Sequence, residues 1–392
     1  MEFNSYILKD ICDIQIGRTP PRAESKWFNS GSQNDFLWAS IKDMGECSKF
    51  ICKTNETLTK EAQERFNVPI VEKGTILLSF KLTVGRVAIA EQNMLTNEAI
   101  AQLKIKDDTV VDRDYLYYLL KNYPWKTLGS TSSIATAVNS TMIKNMVIEL
   151  PSIKEQKKIA SILNKVDNKI ETNLKVIENI SAQIECLYNI YFRYKTTDSL
   201  PSGWKLLKLK DVTLNIRDKC GSNNFKVFSA LNIGVLSLSE EYFSKQVYSK
   251  DISNYIKVEP LDFAYNPARV NIGSIGINDK GYTGCVSPVY VVFRVEEGYH
   301  NFFNLFIKSN QFKSEAILRA SGSVRQTLNY TDFGLIDIIY PPKNIVYDFN
   351  NKYGKLSDLI GTILKENMTL NEIKKSLMLE LFDKDKVENI IK

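Results

Sequence analysis

The feature that most constrains the fold is a long helical pattern that begins after a proline in the middle of the chain. In "ELPSIKEQKKIASILNKVDNKI" (149–170) apolar residues recur every three or four positions, and the pattern continues to about residue 195. The apolar stripe is narrow, which is typical of a coiled-coil seam and not of a helix that lies on a globular core. A helix over 152–195 would be ~66 Å long at ~1.5 Å per residue, so it needs an apolar partner of similar length.

A second pattern of the same kind starts in "IYPPKNIVYDFNNKYGKLSDLI" (339–360). Pro151, Pro341 and Pro342 suit helix starts, where a missing N–H costs little. The simplest cover for each helix is the other helix, and pseudo-twofold symmetry predicts that the two run antiparallel; two unrelated surface helices are the alternative. The residues predicted to pair the helices are Ile159, Leu163, Val166, Ile170, Leu174 and Ile177 in the first, and Tyr353, Leu356, Ile360, Ile363, Leu370 and Leu377 in the second.

The segments before the two helices also resemble each other. Residues 71–108 read as strand, turn, strand, turn, strand and lead into a short amphipathic helix, and 258–298 repeat this order about 187 positions later. The sequence therefore predicts an α/β (α+β) chain with two globular domains in tandem repeat and two long helices that form an antiparallel coiled coil. The expected boundaries are 1–150 for the first domain, 151–195 for the central helix, 196–340 for the second domain and 341–392 for the distal helix and tail.

Composition argues against catalysis in this chain. Six cysteines are scattered without a CxxC pair and there is one histidine, His300, so we expect no metal site, no cofactor and no enzymatic activity of its own. The chain has no run of eighteen apolar residues and no secretory signal, so we expect a cytoplasmic protein without a membrane partner.

The charge of the chain is nearly balanced. Lys and Arg number 18 against 18 Asp and Glu over 1–150, and 16 against 13 over 204–340, within a net charge of +6. A dedicated nonspecific nucleic-acid binder would usually be more basic. Any contact with DNA must therefore be local or helped by a partner.

Polar and cationic loops recur in both globular domains. Arg and Lys can read guanine edges, Asn and Gln adenine edges, and Ser and Thr can hold phosphates, so these loops carry the residue types of a major-groove reader. Solvated turns are the alternative. The candidate DNA-binding residues are Arg18, Thr19, Arg22, Lys42, Lys81 and Arg86 in the first domain, and Asn266, Arg269, Ser323, Arg325 and Gln326 in the second.

Over essentially its full length, the chain resembles a specificity (S) subunit of type I restriction-modification enzymes. The motifs that carry the resemblance are "GRTPPR" with "FLWASIKDM", "TVGRVAIA" with "TNEAIAQL", and "LPSIKEQKKIASIL". The last is the most specific, because Leu150-Pro151, Glu155-Gln156 and Ile159 match the family's run at this place. The second copy departs from the pattern, since it lacks the Gly-x-Thr-Pro loop and the Glu-Gln pair.

The resemblance implies a non-catalytic DNA-recognition role. Each globule would be a target-recognition domain for one half of a bipartite site in double-stranded DNA, and the helices would fix the separation. Two modification (methyltransferase) subunits would carry S-adenosylmethionine, and restriction/translocase subunits would use ATP and Mg²⁺. The alternatives are the target-recognition subunit of a type II enzyme with a fused methyltransferase-nuclease partner, and a coiled-coil adaptor that binds only proteins.

Overall fold

The computed structural model of the chain describes residues 2–125, 138–193, 200–232, 234–242, 248–320 and 327–383. The chain divides into two compact units, Met1–Val176 with Ile363–Lys392, and Ile177–Thr362. Each unit contains a globular part of helices and short strands together with one half of each long helix. Among the described residues, none of the helices is both long and apolar enough to cross a membrane.

The first unit is built around a five-stranded sheet in the order β2-β9-β6-β7-β4, beside a three-stranded sheet β5-β3-β8 and a two-stranded pair β1-β10. The strands are β1 (Asn4–Ile7), β2 (Cys12–Ile16), β3 (Phe36–Ala39), β4 (Phe50–Ile51), β5 (Glu56–Leu58), β6 (Ile76–Ser79), β7 (Val87–Ala90), β8 (Leu95–Thr96), β9 (Ile100–Ile105) and β10 (Val147–Leu150). The helices that begin in this unit are α1 (Leu8–Ile11), α2 (Ile41–Glu46), α3 (Lys60–Arg65), α4 (Arg113–Asn122), α5 (Ser140–Lys144) and α6 (Ile153–Tyr191).

The second unit repeats this order. Its four-stranded sheet β12-β19-β16-β17 matches β2-β9-β6-β7, and its terminal pair β11-β20 matches β1-β10. The strands are β11 (Lys205–Lys208), β12 (Thr213–Ile216), β13 (Phe228–Leu231), β14 (Val235–Leu238), β15 (Ile256–Val258), β16 (Phe263–Tyr265), β17 (Ile275–Ile277), β18 (Gly284–Val286), β19 (Val291–Val295) and β20 (Asp337–Tyr340). The helices are α7 (Leu209–Val212), α8 (Ser239–Tyr242), α9 (His300–Phe306), α10 (Asn310–Arg319), α11 (Tyr330–Phe333) and α12 (Lys343–Leu381).

The predicted α+β class and tandem repeat are therefore confirmed. Strands β6, β7 and β9 lie where the sequence pattern predicts three strands, and β16, β17 and β19 occupy the same places in the second unit. The core of each sheet consists of the apolar residues of these strands; β6 and β7, for example, are buried at every position.

Helix α6 starts at a serine cap directly after Pro151. Ser152 forms a capping box with Glu155: the Glu155 N–H donates to the Ser152 hydroxyl at 3.4 Å, and the Ser152 N–H donates to the Glu155 carboxylate at 3.1 Å. The helix has 39 residues, as does α12, which starts directly after Pro342. The two predicted long helices are thus present, slightly shorter than the sequence pattern indicates.

The helices pair in antiparallel orientation within each unit. In the first unit Asp167 contacts Lys374, and six residues later in α6 Asn173 contacts Asn367, seven residues earlier in α12. In the second unit Tyr191, at the end of α6, contacts Asp348 near the start of α12. The predicted antiparallel coiled coil is confirmed.

A pair of asparagines is buried in the first unit's part of this seam. The Asn173 amide nitrogen donates to the Asn367 side-chain oxygen at 2.8 Å and to the Glu366 carboxylate at 2.8 Å. Asn173 and Asn367 are 4% and 7% exposed, whereas Leu174 is 43% exposed. The prediction that Leu174 lies on the pairing face is wrong, because the alternation of three and four residues continues through Asn173.

The other predicted pairing positions lie on the inward stripe. Ile159 and Leu163 are fully buried, and Ile363 is 9% exposed. The remaining members are half-buried: Val166, Ile170 and Ile177 in α6, and Tyr353, Leu356, Ile360, Leu370 and Leu377 in α12.

The first globule is attached to α6 by buried hydrogen bonds. Gln156 is fully buried. Its side chain accepts a hydrogen bond from the Asp112 N–H at 2.9 Å and donates to the carbonyls of Val110 at 2.9 Å and Pro151 at 3.0 Å. The glutamine of the Glu-Gln motif thus fastens the helix to the loop before α4.

A buried charged cluster continues this attachment. Lys49, which is 6% exposed, contacts the Asp114 carboxylate at 3.2 Å, and Asn164 of α6 donates to the same carboxylate at 2.7 Å. Burial alone would raise the pKa of Asp114, but the charge of Lys49 and the hydrogen bonds from Arg113 and Asn164 outweigh it and lower that pKa. Burial lowers the pKa of Lys49, and the Asp114 carboxylate beside it opposes that shift.

Asp167 joins both long helices to α4. Its carboxylate accepts a hydrogen bond from the Tyr118 hydroxyl at 2.6 Å and forms an ion pair with Lys374 of α12. Burial, followed by this hydrogen bond, raises the pKa of Tyr118. The coiled coil and the first globule are thus linked by charge-assisted hydrogen bonds.

The second globule holds the helices with aromatic rings, beside hydrogen bonds such as that from the Asn350 side chain of α12 to the Gly298 carbonyl at 2.7 Å. Phe192, just after α6, lies with its ring centroid 4.7 Å from Phe302 of α9 and 4.9 Å from Phe349 of α12. The Tyr299 hydroxyl donates to the Pro341 carbonyl at 2.9 Å, and its ring stacks on Tyr340 at 4.4 Å. These contacts replace the Glu-Gln attachment, which the second copy lacks.

The asparagine pair makes a testable prediction. Replacing only Asn367 by leucine removes one of the two acceptors of the buried Asn173 amide and leaves Glu366, so the free energy of unfolding should fall by about 0.5–1.5 kcal/mol. The double variant Asn173→Leu/Asn367→Leu removes both polar groups and should be at least as stable as either single variant. A double-mutant cycle of urea midpoints measures this coupling. Additive losses would mean that the two amides do not interact.

Candidate nucleic-acid interface

The hairpin between β6 and β7 presents the first unit's Lys81 to solvent. The ammonium group of Lys81 lies 5.7 Å from the centroid of the Phe80 ring, which is 2% exposed. Arg86, at the other end of the hairpin, is half-buried, and its guanidinium donates to the Ile41 carbonyl at 2.6 Å. Lys81 is therefore available to a ligand, whereas Arg86 fixes the start of α2 against the hairpin.

Helix α2 carries the next candidate, Lys42. The helix is capped by Ser40 and Asp43, which form a capping box. Burial would raise the pKa of Asp43, but hydrogen bonds from Ser40 and Asn55 lower it, so the cap stays ionised. Lys42 itself is 71% exposed by side chain and makes only a loose ion pair with Glu46 at 3.7 Å. This lysine, like Lys81, can turn toward a phosphate.

Arg22, in the loop before β3, forms an ion pair that holds this loop to another segment of the unit. Its guanidinium makes two hydrogen bonds to the Glu56 carboxylate, at 2.7 and 3.0 Å. It also lies 4.5 Å from the centroid of the Phe28 ring and 4.6 Å from that of Trp38. A fork geometry between two planar groups, stacked on aromatic rings, holds the loop in place.

Two further candidates in this loop are also engaged. The Arg18 guanidinium donates to the Phe66 carbonyl at 3.0 Å, and the Thr19 hydroxyl donates to the Glu98 carboxylate. Trp27 anchors the loop from below, since it is 2% exposed. In this conformation Arg18, Thr19 and Arg22 are therefore engaged in hydrogen bonds to other segments of the same unit.

In the second unit the hairpin between β16 and β17 holds Asn266 and Arg269. The Asn266 side-chain oxygen accepts a hydrogen bond from the Ala268 N–H at 3.1 Å, and its carbonyl accepts one from the Arg269 N–H at 2.9 Å. Asn266 therefore shapes the turn. Arg269 is exposed, and the structure gives its guanidinium no hydrogen bond or ion pair with a described residue.

The remaining candidates, Ser323, Arg325 and Gln326, lie outside the described residues. Within the described ranges no cluster of three or more His, Cys, Asp or Glu side chains is arranged to hold a metal ion. The exposed cations Lys42, Lys81 and Arg269 can neutralise phosphates or donate to guanine.

Sequence reasoning missed one surface residue of the first unit. Leu82, at the tip of the β6–β7 hairpin, is 98% exposed. The signal available was an aliphatic residue in the centre of the turn "KLTVG", where polar residues or glycine are usual.

The chain is similar to known proteins both in sequence and in fold. Residues 1–182 match the family profile described as the type I restriction modification DNA specificity domain. Two curated proteins of Methanocaldococcus jannaschii are similar. The type I restriction enzyme MjaIX specificity subunit is 24% identical over 98% of this chain and 93% of its own length. The MjaVIII specificity subunit is 24% identical over 88% and 84%.

The fold also matches a solved structure. The type I restriction-modification S subunit from M. genitalium superposes with a TM-score of 0.53 at 14% identity, over 97% of this chain and 96% of that one. The profile match covers the first globular domain and most of α6. Over nearly its full length the chain is therefore similar to specificity subunits of type I restriction-modification enzymes.

Arg22 is bound to Glu56 within the unit, whereas Lys81 is exposed, so substitutions of these two residues should affect stability differently. Arg22→Ala removes a bidentate ion pair and two ring contacts, so the free energy of unfolding should fall by about 1 kcal/mol after allowance for partial exposure. Lys81→Ala should leave thermal unfolding unchanged. Arg22→Lys keeps the charge without the fork and should resemble Arg22→Ala. Equal midpoints for the Arg22 and Lys81 variants would contradict the assignment.

Proposed function

We propose that each globular unit reads one half of a bipartite target in double-stranded DNA and that the paired helices fix the distance between the halves. The observation that carries this proposal is the recurrence of one strand order, β2-β9-β6-β7 and β12-β19-β16-β17, with an exposed cation on the same hairpin in each unit. Two copies of one reading module suit a target with two separate parts.

The arrangement of the helices supports equivalent roles for the two units. The first unit contains the N-terminal half of α6 and the C-terminal half of α12, and the second contains the reverse. Each unit thus receives one helix start and one helix end. Readers built on pseudo-twofold symmetry suit half-sites about one duplex turn, ~34 Å, apart, and a 39-residue helix is about 58 Å long at ~1.5 Å per residue.

The chain would not catalyse a reaction itself. Two modification subunits would bind it and carry S-adenosylmethionine for methylation, while restriction/translocase subunits would use ATP and Mg²⁺. Exposed apolar residues on α12 support a protein partner at the helices: Leu359, Leu364 and Met368 are 47%, 48% and 68% exposed. The modest net charge of +6 also supports partners that supply much of the phosphate contact.

The test is reconstitution of the chain with modification (methyltransferase) subunits from its own source. The complex should protect a bipartite sequence in a pool of random duplexes, and the chain without its partners should bind more weakly. Protection that requires one fused methyltransferase-nuclease polypeptide would instead support the type II alternative. A stable complex without any DNA preference would contradict the proposal and favour a protein-binding adaptor.

The spacing role makes a separate prediction. One heptad inserted in step after Val176 and after Thr362 lengthens each helix by about 10 Å. Since a base pair rises ~3.4 Å, the preferred spacer should grow by about three base pairs while both half-sites stay the same. A scrambled heptad of equal length with polar seam positions is the matched control. Retention of the original spacer in the heptad variant would contradict the spacing role.

A further inference from the structure

The tip of the β6–β7 hairpin holds a leucine in an unfavourable conformation. Leu82 has a φ of +60°, in the left-handed region, and its side chain is 98% exposed. This region is strained for a residue with a bulky side chain, and glycine or asparagine would adopt it more easily. Leu82 therefore does not stabilise the isolated chain.

The surrounding hydrogen bonds hold this conformation. The Thr83 N–H donates to the Lys81 carbonyl at 2.7 Å, and the Gly85 N–H donates to the Ser79 carbonyl at 2.9 Å. The Ser79 hydroxyl donates to the Thr83 carbonyl and accepts from the Arg86 N–H at 3.0 Å. The tip is thus a rigid turn that presents Leu82 outward.

Side-chain packing fixes the base of the turn as well. Gly85 has a φ of +87°, and a Cβ atom placed there would lie 2.2 Å from the ring of Trp125. The indole itself is held by its N–H, which donates to the Leu120 carbonyl at 2.9 Å. The hairpin therefore presents Leu82 from a well-packed support.

The corresponding hairpin of the second unit also exposes an aliphatic side chain. Ile272 is 58% exposed at the end of a 3-10 turn, Val270–Ile272, and Gly273 follows with a φ of +87°. The exposed Arg269 precedes Ile272 in this hairpin, as Lys81 precedes Leu82 in the first. Strands β16 and β17 occupy the sheet positions of β6 and β7, so an aliphatic residue beside a cation recurs at the same place.

We propose that Leu82 and Ile272 are specificity-determining residues that make apolar contacts with the bases of the half-site read by their own unit. This inference rests on the proposed function. The neighbouring cations suit phosphates, but an aliphatic group has no favourable contact with a phosphate. It can instead pack on the 5-methyl group of thymine in the major groove or wedge between two base pairs.

The test uses the full chain in complex with its modification subunits and compares Leu82→Asn and Leu82→Gly with the wild type. Both variants relieve the left-handed strain, so the thermal midpoint should stay the same or rise. Affinity for the bipartite duplex should fall about 10- to 100-fold, as expected when one buried leucine side chain is lost from the interface. Ile70→Asn, which changes an aliphatic residue of the same unit that is 45% exposed, is the matched control and should bind as the wild type does.

The two hairpins should act on different half-sites. Leu82→Asn should relax selection of bases in one half of the target, and Ile272→Asn should relax selection in the other. Selection from random duplexes by each variant complex measures this. Loss of selection in the same half by both variants would contradict the assignment of one residue to each unit.

Modified duplexes separate the two kinds of base contact. Deoxyuridine in place of thymidine removes only the methyl group, and a methyl contact predicts weaker wild-type binding but no further loss for Leu82→Asn. A wedge predicts instead that 2-aminopurine at the contacted step becomes more fluorescent with wild type and not with Leu82→Asn. Either result supports an apolar base contact.

The outcomes also separate this inference from the proposed function. If the wild-type complex selects a bipartite site and Leu82→Asn binds and selects identically, the inference alone fails. If Leu82→Asn instead prevents assembly with the modification subunits, Leu82 contacts protein and the inference is wrong. If the wild-type complex shows no sequence preference, the proposed function fails and this inference fails with it.

Discussion

The pairing of α6 with α12 is the contact on which the rest of the structure depends. Each helix carries a single narrow apolar stripe, so neither could remain folded in water without a cover of similar length. The antiparallel pair provides this cover from within the chain, and each globule packs on one start and one end of a helix. Separation of the helices from the globules would expose Ile159 and Leu163 of α6 in the first unit and Phe349 of α12 in the second. All three side chains are fully buried.

The two globules solve the same attachment problem with different chemistry. The first uses Gln156 and the cluster of Lys49, Asp114 and Asp167, whose hydrogen bonds and ion pairs have strict geometry. The second packs the rings of Phe192, Phe302 and Phe349 together and adds hydrogen bonds of Asn350 on α12 to Asn301 and Gly298. A buried charged cluster fixes orientation more sharply than aromatic packing, because any displacement leaves charges unpaired. The loss of the Glu-Gln motif in the second copy therefore changes how the helix is held without removing the attachment.

Much of the fold could be predicted because it follows from local patterns. Proline followed by a three-and-four spacing marks both helices, and short apolar runs separated by turn residues mark the repeated strands. The seam position of Asn173 could not be predicted in this way, since Leu174 is more apolar and only the partner asparagine on α12 explains burial of an amide. Among the interface candidates, residue type alone did not distinguish Lys81 from Arg22. The difference depends on Glu56, Phe28 and Trp38, which are distant in sequence and meet only in the folded unit.

A map of DNA methylation in cells that express this chain with the proposed modification subunits tests the central claim most directly. Two reading units joined by one helix pair predict two recognised sequences in each methylated target, separated by a constant number of unspecified base pairs. Exchange of residues 204–340 for those of a related chain should change one half of the target and leave the other half and the spacer as they were. Methylation at a single continuous sequence, or a change in both halves after the exchange, would contradict the account.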